Sequence, residues 1–138
     1  MLRNSLIVAA IATMPAAALA ENFTTAAEIK PILDATRANW IAVREYDDKD
    51  LLYFTHLLSW RCGLDEIRYG LNGAAPDKLW PMDPCYDTEP QPNALKMDGA
   101  EIYLAEPLGS IQTISISVTY DDGTKASADF NRAAVMTP

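Results

Sequence analysis

The chain has 138 residues, of which eleven are Lys or Arg and nineteen Asp or Glu, for a net charge of −8. That balance argues against nucleic acid and anionic lipid as partners. Two cysteines and one histidine leave little material for thiol, metal or acid–base chemistry.

Residues 1–20 read as a secretory signal peptide. Arg3 supplies a positive start, Leu6 to Ala12 an apolar run, and Ala18-Leu19-Ala20 a small-x-small cleavage site. Cleavage there leaves residues 21–138 as one small domain in the periplasm or outside the cell, and the loss of Arg3 takes the net charge to −9. No other stretch is apolar for long enough to span a bilayer. Thr25 followed by Glu28 fits a capping box and starts a helix running to about Ala38, with a kink or restart at Pro31.

Trp40 to Asn72 alternates apolar and polar residues with period two, and turn-like breaks fall at Asp47–Asp50 and Cys62–Asp65. The spacing predicts a three-stranded antiparallel meander. Centring each turn pairs Tyr46 with Leu51, Val43 with Phe54, Arg61 with Glu66, Trp60 with Ile67 and Leu58 with Tyr69. Both centrings give one core face: Ile41, Val43, Leu52, Phe54, His56, Leu58, Trp60, Ile67, Tyr69 and Leu71. The other face carries Arg44, Tyr46, Tyr53, Arg61, Glu66 and Arg68. A helix over Asp50 to Arg61 is the rival reading.

Five prolines between Gly73 and Pro92 forbid regular structure over most of that span. In an exported protein Cys62 and Cys85 pair as a disulfide, which staples this loop to the second turn. Ile102 to Leu104 reads as a short strand. Ile114, Ile116, Val118 and Tyr120 then alternate with polar residues up to Asp121-Asp122-Gly123. A three-residue loop there, with Gly123 left-handed, pairs Val118 with Ala126, Ile116 with Ala128 and Ile114 with Phe130. The fold class is α+β: a short N-terminal helix, an antiparallel meander, a C-terminal hairpin and one disulfide. Whether the hairpin joins the meander's sheet is open at this point.

No nucleophile elbow, phosphate loop, zinc helix or dinucleotide fingerprint is present, so no enzyme activity, cofactor or metal is expected. Asp47, Asp48 and Asp50 lack the glycine and distal glutamate of a calcium loop and read as a solvated turn. His56 reads as a core residue between Phe54 and Leu58. Candidate binding residues are Trp80 and Tyr86, as aromatic anchors on the stapled loop, with Arg61 and Arg68 on the polar sheet face. A small ligand is one expected partner. An acidic inhibitor or partner of a basic secreted protein such as a lysozyme is the alternative, and an enzyme using His56 the third reading.

The central stretch and the ending Arg132-Ala-Ala-Val-Met-Thr-Pro138 resemble small exported proteins of alphaproteobacteria. The resemblance covers most of the chain after the signal peptide. It implies export and a shared fold, and it brings no activity or site residue with it.

Overall fold

A computed structural model describes residues 7–10, 22–96 and 98–138; the expected signal peptide lies, apart from 7–10, outside the described residues. Helix α1 spans Ala26–Ala35. Its start is at the expected Thr25–Glu28 pair: the Glu28 amide donates to Thr25 Oγ1 and the Thr25 hydroxyl donates to Glu28 Oε1, while Glu28 Oε2 accepts from the Phe23 amide in place of the Thr25 amide of a full capping box. The helix does not restart at Pro31. The helix is one piece with Pro31 inside, and the carbonyl left without a donor, that of Ala27, lies on the exposed side where water can reach it. A short 3-10 turn over Arg37–Asn39 follows.

Strands β1 (Ala42–Tyr46) and β2 (Lys49–Tyr53) form the first hairpin, with Val43 opposite Leu52 and Tyr46 opposite Lys49. The turn is two residues, Asp47 and Asp48, both with positive φ. The twist of such a turn matches that of the strands, and aspartate tolerates its conformation. The predicted pairing of Val43 with Phe54 is therefore off by two residues. A slip of two keeps every side chain on its face, so Ile41, Val43, Leu52 and Phe54 are buried as expected.

The meander breaks after β2. Leu57 and Leu58, neighbours and both buried, lie on a helical turn, α2 (Thr55–Leu58), not on a strand. A 3-10 turn over Arg61–Gly63 then leads into β3 (Leu64–Leu71), which never meets β2. The pairings Arg61–Glu66, Trp60–Ile67 and Leu58–Tyr69 are thus replaced, and the rival helix holds for one turn.

Two antiparallel sheets result. One has the order β1-β2-β5, with β5 spanning Tyr103–Pro107. The other places β3 between β4 (Lys78–Leu79) and β6 (Thr113–Tyr120), with β7 (Lys125–Asn131) at its edge. The β6–β7 register is as expected: Val118 faces Ala126, Ile116 faces Ala128, Ile114 faces Phe130, and Gly123 has φ +84°. One buried cluster joins both sheets to Ala26, Ile29 and Leu33 of α1. Gly63 lets the helix approach this closely, since a Cβ there would lie 2.6 Å from Ile29 Cδ1. After β7 the short helix α3 (Arg132–Val135) brings Met136 beside Val43 in parallel, and the Thr137 amide donates to Val43 O. Among the described residues no helix is long and apolar enough to cross a membrane.

Candidate functional site

The stapled loop gathers four of the six residues singled out from sequence, and gives them structural work. Cys62 and Cys85 are bonded. Arg61 is only 2% exposed, not on a polar sheet face. Its guanidinium donates to five carbonyls, those of Leu58, Asp83, Pro84, Asn93 and Ala94, at 2.7–3.1 Å. Pairing with Glu66 is excluded because the chain turns inward at α2, and the loop carbonyls replace water as acceptors. Tyr86 is half-buried between the Arg61 guanidinium, 5.5 Å from its ring centre, and the Lys96 ammonium, 4.0 Å from it. Asn93 completes the clamp: its Oδ1 accepts from the Cys62 amide and its Nδ2 donates to Phe23 O.

Trp80 is not an exposed anchor either. The Trp80 amide donates to Ile67 O, which continues the β3–β4 pairing by one residue, so Leu79 points out and Trp80 points in. Its ring stacks on Phe54 at 4.0 Å with the edge of Tyr69 nearby, and it is 3% exposed. Arg68 stays on the surface of β3, where it pairs with Glu66 at 2.9 Å and donates to Asp77 O. The six residues therefore form no common surface.

Asp50 was missed, because a four-residue turn would have left it in solvent. The shorter turn places it on the inner face of β2 with no exposed area. It accepts from both Arg132 terminal nitrogens and from the amides of Gly109 and Ile111. The Arg132 hydrogen bonds hold its carboxyl down at about 2, against the desolvation that pushes it up. This cluster ties β2, the loop before β6 and α3 together.

A pocket of about 490 Å³ opens at one end of the β1-β2-β5 sheet. Ala42, Arg44 and Tyr53 come from the outer sheet face, Thr55 and His56 from α2, Asn39 to Ile41 from the preceding turn, and Thr137 and Pro138 from the last segment. His56 is not between Phe54 and Leu58 on a strand. It is half-buried on the helical turn, with Nε2 2.9 Å from Thr36 Oγ1. The Thr36 hydroxyl spends its one proton on Ile32 O at 2.7 Å, so Nε2 must be the donor and Nδ1 carries the lone pair of the neutral ring. Burial pushes the imidazole pKa below its usual value, which keeps that neutral form at pH 7. Nδ1 has no partner, yet the buried polar side-chain atoms without one, among the described residues, are Trp60 Nε1, Trp80 Nε1 and Tyr120 Oη. His56 Nδ1 is not among those fully buried atoms.

Arg44 lies over the Tyr46 ring at 4.7 Å. Of the five arginines described it alone has no hydrogen-bond acceptor: Arg37 bonds Asp34 and Ser127 O, Arg61 its carbonyls, Arg68 Glu66, and Arg132 Asp50 and Glu45. The same face continues through Tyr53 and Tyr103, whose rings are 5.6 Å apart. A larger cleft of about 630 Å³ lies between α1 and the β6–β7 hairpin, but its Lys30 and Arg37 are already paired with Asp122 and Asp34. The Arg44 pocket is the better candidate because Arg44 has no acceptor among the described residues. Among the described residues no group of three or more His, Cys, Asp or Glu is placed to hold a metal ion. No family model, curated protein or solved structure matches the chain.

Proposed function

We propose that this chain is an exported, non-catalytic binding module that takes a small ligand in the pocket between Arg44, Tyr53 and His56. The observation that carries this reading is that Arg44, whose guanidinium has no acceptor among the described residues, and the half-buried His56 line one pocket. Pre-formed concavity with a few unspent polar groups is what small-molecule sites share, and about 490 Å³ falls within their usual range of about 300–1,000 Å³. Export is supported by the disulfide, which belongs to oxidising compartments, together with the signal-like residues 1–20. Against catalysis stands the neighbourhood of His56: its hydroxyl partner Thr36 donates elsewhere and is no activated nucleophile.

The test is a nitrogen-15 NMR titration of the oxidised protein with a panel of small organic acids, sugars and amines. Binders are expected to move Arg44 Nε and the His56 ring first. Binders that move only the Lys30–Arg37 cleft or the stapled loop, or a panel that moves nothing, would overturn the reading.

A further inference from the structure

We infer that the outer edge of β5 is a docking surface for a second copy of this chain, which pairs with it strand to strand and makes one continuous sheet of the two β1-β2-β5 sheets. The inference stands apart from the pocket reading above. It starts from the direction of the backbone groups. The Phe54 amide donates to Ile102 O, so Ile102, Leu104 and Glu106 face β2, and the N–H and C=O groups of Tyr103 and Ala105 point away from it. Among the described residues those outward groups have no partner.

The other sheet edges are protected. Met136 and Thr137 cover the edge of β1. The Arg37 guanidinium takes the Ser127 carbonyl on the outer side of β7, and β4 is two residues long. Cover, charge and short length are the usual means of closing an edge. β5 has five residues and carries only Pro107, at its far end. The core-facing row is also unfinished there. Val43, Leu52 and Leu104 stand side by side across the sheet. Val43 and Leu52 are fully buried, but Leu104 and Ile102 are only partly so.

The strand that fits this edge is β5 itself, run antiparallel with the two-fold axis at Leu104. Tyr103 then lies opposite Ala105 of the second copy and exchanges both backbone bonds with it, and symmetry repeats the pair. Every outward amide of Tyr103 and Ala105 finds a carbonyl. Leu104 meets Leu104 of the second copy on the core side, which completes the apolar row. Glu106 falls opposite Ile102 and Glu101 opposite Pro107, so no two acids are opposed. Centring on Ala105 would set Tyr103 against Pro107, which has no N–H to give; centring on Tyr103 would draw in Glu101, which lies outside the strand. Each copy presents the same patch, so the contact closes as a dimer. One strand pair is smaller than the standard interface of about 800 Å² per partner, and the dimer is therefore weak and reversible.

The experiment combines sedimentation equilibrium and amide hydrogen exchange on the oxidised protein. From about 10 µM to about 1 mM the chain should pass from monomer to dimer. Exchange should slow several-fold at the Tyr103 and Ala105 amides as the dimer forms. It should not change at Ser127 and Asp129, whose amides face the outer edge of the other sheet. Both copies are negatively charged, so added salt should strengthen the dimer. Ala105→Lys sets two like charges close across the two-fold on an exposed position and should return the protein to monomer with its near-UV spectrum unchanged. Ala105→Pro, which removes an outward N–H, should do the same. Leu79→Lys, on the exposed edge of the other sheet, should leave the dimer intact. A chain that stays monomeric throughout overturns the proposal, as does a dimer that survives both Ala105 variants or protects neither amide. If the two amides slow only when an unstructured lysine-rich peptide is added, the edge takes a foreign strand, and the second copy is overturned as its occupant.

Discussion

Two arginines of this protein each lie over a tyrosine, and they do opposite things. Arg61, over Tyr86, is buried at the root of the stapled loop and has five carbonyls around it. Arg44, over Tyr46, sits on the outer face of the first sheet and has no acceptor among the described residues. The first is a cross-link: a cation solvated by backbone dipoles, holding a loop with little regular structure in one shape. The second has no acceptor among the described residues, which is what the proposed binding role draws on. Residue type and aromatic neighbour are the same; burial and the saturation of the guanidinium differ.

The largest effects should fall on the scaffold side. Trp80→Ala should lower folding stability by roughly 3–5 kcal/mol, the usual result for a buried tryptophan, as read by denaturant unfolding. A variant as stable as wild type would return Trp80 to the surface and undo the assignment of this loop. Arg61→Ala should cost about the same, roughly 3–5 kcal/mol, because buried carbonyls lose their donor. Reduction of the Cys62–Cys85 bond, 23 residues apart, should follow at about 3–4 kcal/mol by the chain-entropy account. Reduced protein that melts with the oxidised form would mean that Arg61 alone holds the loop.

A smaller and pH-dependent effect belongs to Asp50. Its folded pKa of about 2 lies below the ordinary 3.8, so its contribution is complete above pH 3.8 and is lost as pH falls toward 2. Thermal midpoints across that window should fall more steeply for wild type than for Asp50→Asn; parallel slopes would sink the Arg132 clamp. The smallest effect sharpens the comparison most. Arg44→Gln should change folding stability by less than about 1 kcal/mol, since it removes only a surface cation–π contact. A loss as large as that for Arg61→Ala would make Arg44 a scaffold residue too.

Much of the fold was legible because it is written over short distances. The Thr25–Glu28 box, the Gly123 loop and the two-residue alternation in β6 each need only a few neighbouring residues to be read. The core faces of β1, β2 and β3 were legible for the same reason, and survived a misplaced turn because the error was two residues. The break at Leu57-Leu58 was half legible: two adjacent large apolar residues fit a helical turn better than a strand, but the surrounding alternation outweighed them.

The sequence by itself determined much of the local structure of this protein, its one disulfide and which side of β1, β2, β3 and β6 is buried. Only the tertiary structure decided that β3 leaves the first hairpin for the second, since strand partners come from distant segments and no short pattern names them. That single exchange turned Arg61 inward, seated Trp80 on Phe54 and opened the pocket at Arg44. An arginine reads alike in a sequence whether its five N–H groups are spent or free. Their acceptors are carbonyls and carboxylates scattered along the chain, and folding alone brings those within reach or keeps them away.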